Sequence, residues 1–269
     1  MSPSLPTLML CHGAWHTSEY WNTVLDDLEQ KGYKCIAPTI IYNGGEKPVP
    51  SMAPVVAALQ EVIADEIGLG NNVVLVNHSM AGMTGCSAVR GFTRKDPSKR
   101  RSDNSGYVTG LIQITAWTPT KHETSLADLS EDFARGHPEF KMARMRVKID
   151  DEGWSEVQGE PAEYFYNDMP RHDADKWSSK LIKFSAAVRN ARDSVYAGWQ
   201  DVPVWYLICT MDNAIKKELQ EDMVQTCRAL GANITTRECE AGHSPMLSKP
   251  EETVAFIEDA VRAFGSVSA

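Results

Sequence analysis

The stretch Val73 to Gly85, "VVLVNHSMAGMTG", constrains this chain most. A run of apolar, mostly β-branched residues stops at Asn77. Ser79 follows almost at once, and then Ala81, Gly82 and Gly85. An apolar run this short, bounded by polar and small residues, reads as a strand covered on both faces. The small residues after it read as a helix that must pack closely. Ser79 then stands on a sharp turn at the carboxyl end of a strand, where the residues two positions to either side must be small. Ala81 meets that demand. Asn77 does not, although Asn tolerates unusual backbone angles. Taken alone, Ser79 is equally a helix N-cap and a nucleophile.

The surrounding sequence repeats this rhythm. "TLMLCHG", "YKCIAPT", "VTGLIQITAW", "VPVWYLICT" and "ITTRECEAG" read as further strands. In "TSEYWNTVLDDLEQKGY", Trp21, Val24, Leu25 and Leu28 recur at helical spacing, with Thr17 or Ser18 as cap and Gly32 as stop. Further helices are expected near Met52 to Ile67, near Lys216 to Leu230, and over "PEETVAFIEDAVRAFG". For the last, Ser248 and Glu251 around Pro250 predict a capping box. Such alternation predicts an α/β fold with a mostly parallel sheet and helices on both faces. Between Pro119 and Ala197 the pattern changes to helical and polar segments with aromatics and no clear buried strand. That predicts a core from residues 1–118 and 198–269, and a helical lid insertion, residues 119–197, over the ligand-binding carboxyl edge of the sheet.

Composition narrows the function classes. Hydrophobic residues make up 42% and charged residues 23% of the 269, with a net charge of -9. The densest basic run, "TRKDPSKRRSD", is broken by acids and turn formers, so it reads as a solvated loop and not a nucleic-acid surface. No segment approaches the roughly 18 apolar residues of a membrane helix, and the amino terminus lacks the pattern of a signal peptide. The cysteines show no C-x-x-C pair, which favours buried reduced thiols over disulfides or metal ligands. A cytoplasmic enzyme without metal or cofactor is expected, with a small-molecule substrate, no nucleic acid or membrane as partner, and a homodimer left open.

Chain order supports Ser79 as a nucleophile. A serine hydroxyl needs a base. Of the histidines, His243 in "CEAGHSPML" lies in the loop after the last strand. The base needs an orienting acid, and Asp212 in "CTMDNAI" directly follows a strand; a helix cap is its plain alternative. Oxyanion donors are expected from the N–H of Met80 and from the N–H of Ala14 in "LCHGAWH". His12 reads as a structural histidine bonded to loop backbone.

With these motifs in view, the sequence resembles the α/β-hydrolase superfamily over nearly its whole length. "HGAW", "NHSMAG", "CTMDNAI" and "AGHSPML" correspond to its oxyanion loop, nucleophile elbow, acid loop and histidine loop. "HGAWH" together with "GHSPMLSKPEE" is similar to the plant methylesterase and hydroxynitrile-lyase-like branch and its microbial relatives, which "AEYFYND" also resembles. The resemblance implies the α/β-hydrolase fold and, for most members, esterase activity on small carboxylic esters. Asn77 departs from the usual Gly. Ser244 stands where hydroxynitrile lyases of this branch carry a Lys, which counts against lyase chemistry.

The expectation is a serine hydrolase in which Ser79, Asp212 and His243 cleave a carboxylic ester or lactone through an acyl-enzyme. Gly13, Trp15, His78, Trp117, Phe165, Tyr166 and Trp177 are the candidate substrate-binding residues, suited to a small aromatic or polyketide-like acyl group. For Phe165, Tyr166 and Trp177 simple packing is the competing reading. Two alternatives stay open: carbon–carbon cleavage by the same three residues, and a small-molecule-binding protein on a hydrolase scaffold.

Overall fold

The computed structural model describes residues 5–139 and 145–267. Strand β1 (Thr7–Cys11) leads to helix α1 (Asn22–Gln30), short strand β2 (Cys35–Ile36) and helix α2 (Ala53–Gly68). Strand β3 (Val73–His78) passes through Ser79 into helix α3 (Ala81–Ala88), and strand β4 (Val108–Ile114) follows. Helix α4 (Leu126–Gly136), strands β5 (Val147–Ile149) and β6 (Trp154–Val157), helices α5 (Pro161–Phe165) and α6 (Arg171–Ser178) and strand β7 (Phe184–Ser185) occupy the middle of the chain. Strand β8 (Val204–Cys209), helix α7 (Lys217–Ala229), strand β9 (Ile234–Cys239), short helix α8 (Pro245–Ser248) and helix α9 (Pro250–Val267) complete it.

The six-stranded sheet has the order β2-β1-β3-β4-β8-β9, and every pairing is parallel. Successive side chains on a strand face opposite ways. Met9, Leu75, Leu111 and Tyr206 therefore pack in one apolar layer with Leu59 of α2, Met83 of α3 and Met223 of α7. Leu8, Val74, Ile112 and Leu207 pack in the other with Leu28 of α1 and Phe256 of α9. With both faces covered, a continuous apolar run is what such a strand requires, and all of β3 is buried.

Two expectations are corrected. The segment 119–197 is not strandless: β5, β6 and β7 form a three-stranded antiparallel sheet beside α4, α5 and α6. Its strands are only two to four residues long and leave Ile149 exposed, so they give no buried apolar run. The capping box at Ser248 does not form. Pro250 starts a separate helix, and Ser248, the last residue of α8, turns its hydroxyl back to the Ser244 carbonyl (3.3 Å). The box occurs at α4 instead, where Ser125 and Asp128 bond each other's backbone N–H reciprocally. The basic run closes on itself and on nearby elements. Arg94 and Arg100 lie over the Tyr107 ring at 4.6 and 3.9 Å, and Lys99 and Arg101 reach Gln60 and Asp65.

Candidate active site

Ser79 sits at φ 54, in the left-handed region. A non-glycine residue there stores on the order of 1–3 kcal/mol, and such strain persists only where the surroundings fix it. Here the Ser79 carbonyl accepts the N–H groups of Gly82 (3.0 Å) and Trp117 (3.1 Å). Small neighbours allow the turn. A Cβ on Gly13 would stand 2.8 Å from Ser79 Cβ and 3.2 Å from its Oγ, and one on Gly82 would stand 2.1 Å from the Trp117 carbonyl oxygen.

The chain order expected of nucleophile, acid and base becomes a contact order. Ser79 Oγ lies 3.0 Å from His243 Nε2. His243 Nδ1 lies 2.7 Å from Asp212 Oδ2. A carboxylate only accepts, so Nδ1 carries the proton and Nε2 offers its lone pair to the Ser79 hydroxyl. His243 and Asp212 are both buried. Asp212 also caps, as its plainer reading required: Oδ1 accepts from Ala214 N (2.6 Å) and Ile215 N (2.8 Å). Thr115, which the sequence did not single out, donates its hydroxyl to Asp212 Oδ2.

The two expected oxyanion donors are unspent. Among the described residues, no protein acceptor takes the N–H of Ala14 or Met80. The loop carrying Ala14 is braced by Asn43, whose amide accepts from Trp15 N (2.9 Å) and donates to the carbonyls of Gly13 (2.9 Å) and His16 (2.8 Å). His12 is structural, as expected: Nε2 accepts from Ile40 N (3.1 Å) and Nδ1 faces the Gly13 carbonyl (3.1 Å).

Three imidazoles lie behind the site and are held neutral by burial. Burial lowers His12 to about 4 and His16 to about 3, and it takes His78 well below the usual range. His78 donates from Nε2 to the His243 carbonyl (2.8 Å), so it braces the base from behind. His16 donates from Nδ1 to the Ala14 carbonyl (2.7 Å) and accepts the Tyr166 hydroxyl at Nε2 (2.8 Å).

The other candidate pocket residues separate by position. The Phe165 ring lies against His243, with centroids 5.6 Å apart. Trp15 packs on Phe165 (6.0 Å) and Phe184 (5.3 Å) and bonds the Ser155 carbonyl through Nε1 (3.0 Å). Trp15 also lines a cavity of about 680 Å³, together with Trp154, Val157, Pro161, Leu181 and Ile182. Glu46, Glu152 and Glu156 also line it. Trp117 is joined to Ser79 through its backbone. Tyr166 and Trp177 sit in a second layer: Tyr166 is buried and tied to His16, and Trp177 packs edge-on to Tyr20 and under the Lys180 ammonium.

Asn77 is fully buried, and among the described residues its side-chain amide has no hydrogen-bond partner. Ser244 donates to the Phe165 carbonyl (2.6 Å) and shares a hydrogen bond with the Tyr20 hydroxyl.

Comparison with known proteins gives a concordant result. Residues 8–256 match the model of the alpha/beta hydrolase family. The chain is 26% identical to the alpha/beta hydrolase nvfD of Aspergillus novofumigatus, over 95% of this chain and 96% of that protein. It is 24% identical to methylesterase 7 of Arabidopsis thaliana, over 92% of each. Its fold is similar to that of a pyrethroid hydrolase from Sphingobium faniae JZ-2, with a TM-score of 0.73 at 20% identity, covering 97% of this chain and 98% of that one. The chain thus belongs to the alpha/beta hydrolase family, as a hydrolase-type enzyme similar to plant methylesterases.

Proposed function

We propose that the protein is a serine hydrolase that cleaves a carboxylic ester or lactone of a small, aromatic or polyketide-like metabolite. The observation that carries this reading is the unbroken chain from Ser79 Oγ to His243 (3.0 Å) to Asp212 (2.7 Å). His243 Nε2 takes the hydroxyl proton as Ser79 Oγ attacks the carbonyl carbon. Asp212 fixes the tautomer and stabilises the imidazolium that forms. The N–H groups of Ala14 and Met80 receive the oxyanion. His243 returns the proton to the leaving alcohol, and water hydrolyses the acyl-enzyme with His243 again as base.

The 680 Å³ cavity falls within the range of small-molecule sites. It takes the part of the substrate remote from the scissile bond, and Trp15, which lines it, packs on the Phe165 ring that lies against His243. The segment 119–197 acts as the lid that supplies most of its walls. Ser244 counts against the lyase alternative, since its hydroxyl is committed to Tyr20 and Phe165.

The test is Ser79→Ala. It should abolish turnover of a p-nitrophenyl ester and block covalent labelling by a fluorophosphonate probe. Labelling that persists in this variant removes Ser79 from the reaction.

A further inference from the structure

The residues on either side of the acid, and those on either side of the base, are all bonded to one short stretch of chain. That stretch is Glu163 to Asp168. Asp212 is flanked by Met211, whose carbonyl accepts from Asn167 Nδ2 (2.9 Å), and by Asn213, whose Nδ2 donates to the Glu163 carbonyl (3.0 Å). His243 is flanked by Gly242, whose N–H donates to Asp168 Oδ2 (2.7 Å), and by Ser244, whose Oγ donates to the Phe165 carbonyl (2.6 Å). Between those two anchors the Phe165 ring lies against the His243 ring at 5.6 Å. The same stretch reaches the oxyanion loop: the Tyr166 hydroxyl bonds His16, which bonds the Ala14 carbonyl.

We propose that residues 163–168 are a clasp that sets the separation of acid and base, and that Asp168 is the positioning residue through which it holds His243. The proposal rests on the serine-hydrolase reading. Its force comes from the kind of bond and its place. The two bonds to the flanks of Asp212 involve exposed groups, where water competes. The Asp168 bond is partly buried and, at 2.7 Å, shorter than both of them. It also grips the residue immediately before the base.

Gly242 shows how tight this grip is. A Cβ there would stand 2.6 Å from Asp168 Oδ1 and 2.7 Å from Asn167 Oδ1. Both oxygens thus stand close against the backbone before His243, and among the described residues neither has a hydrogen-bond partner. A side chain at 242 would push the clasp and the base apart. Displacing a catalytic group by about 1 Å costs on the order of 100-fold in rate.

The test compares Asp168→Ala, which removes the acceptor, with Asp168→Asn, which keeps an oxygen for the Gly242 N–H. Asp168→Ala should lower kcat on a p-nitrophenyl ester roughly 10- to 100-fold, with KM held within about twofold and the fluorophosphonate labelling rate falling in parallel. Asp168→Asn should recover kcat to within about threefold of the parent protein. A lower Tm with unchanged kcat per folded molecule would mean that the contact only stabilises, and it overturns the proposal. So does an Asp168→Asn variant as slow as Asp168→Ala. If Asp168→Ala does not accumulate, Gly242→Ala disturbs the same contact from its other partner. A fall in kcat at constant KM is then expected, and an unchanged kcat overturns the proposal. Ser79→Ala separates the two levels. If it is inert while Asp168→Ala is as fast as the parent, the positioning role alone fails. If Ser79→Ala still turns over and labels, the serine-hydrolase reading fails and the clasp with it.

Discussion

Asn77 lies over the Cα of Gly85, its Oδ1 only 2.0 Å from where a Cβ on Gly85 would stand. The larger residue at the elbow is therefore accommodated by the missing side chain one turn into α3. The size rule for this turn is obeyed by the pair of positions and not by the strand residue alone.

Gly85→Ala should destabilise the protein by about 1–3 kcal/mol, the usual cost of overpacking a core. Asn77→Ala removes two buried polar atoms that have no protein partner, which offsets much of the cavity it leaves. Its own cost should stay near 1 kcal/mol. The double variant should be more stable than the sum of the two single effects predicts. Chemical denaturation of the four proteins measures this coupling, and strict additivity would show that the two residues do not share the space.

Thr115→Val deletes one donor to Asp212 while keeping side-chain shape. Hydrogen bonds to charged groups contribute about 1.5–3 kcal/mol. The remaining donors to Asp212, from His243, Ala214 and Ile215, are untouched. We expect kcat to fall by about an order of magnitude at constant KM, and Thr115→Ser to restore it. Steady-state kinetics of both variants check this, and a Thr115→Val protein with normal kcat would leave Thr115 a packing residue.

Trp15→Ala should change selectivity more than reactivity. The ring lines the 680 Å³ cavity and packs on Phe165, which lies against His243. Its removal should raise kcat/KM for bulky aryl-substituted acyl esters relative to acetate by roughly tenfold, about 1.4 kcal/mol of differential binding. Competition between a short and a bulky p-nitrophenyl ester reads the ratio directly.

The buried imidazoles predict an acid-sensitive fold. His12 and His16 have folded values near 4 and 3 against 6.5 unfolded, and His78 lies well below the unfolded value as well. The folded state therefore holds them neutral. Below about pH 6.5 the unfolded chain binds protons that the folded chain does not, so stability falls as pH falls from about 6.5 towards 4. Calorimetry in buffers of different ionisation enthalpy should show proton uptake on unfolding at pH 5, and less of it in His16→Gln. Equal uptake in the two proteins would mean that His16 is charged in the fold.

How much of this was legible in the sequence depends on distance along the chain. Strands β1, β3, β4 and β8 were readable because a strand covered on both faces must be a continuous apolar run; β9, an edge strand buried only at Ile234 and Cys239, does not follow that rule. Ser79 and Asp212 stood out because each follows such a run, and His243 because it lies in the loop after the last strand. The small sheet was not, because two to four residues with one exposed face carry no period. Thr115 and Asp168 were not readable as partners either. They meet residues 97 and 74 positions away, and nothing local to either marks the encounter. Asn77 was visible as an exception, but Gly85 looked like one more small helix residue. The capping box at Ser248 was misplaced because Ser248 is the last residue of the short helix α8, which local sequence did not mark.

The crossover from β4 to β8 supplies most of the walls of the 680 Å³ cavity, while Ser79, Asp212 and His243 stand at the sheet to either side of it in the chain. This invites treating residues 119–197 as an exchangeable cassette for new specificities. The bonds from Glu163, Phe165, Asn167 and Asp168 to the loops of Asp212 and His243 limit that freedom. A graft that replaces the whole crossover discards those bonds with it. A graft that keeps residues 163–168 in place and varies the walls around them can change what is bound and leave the reacting groups in register.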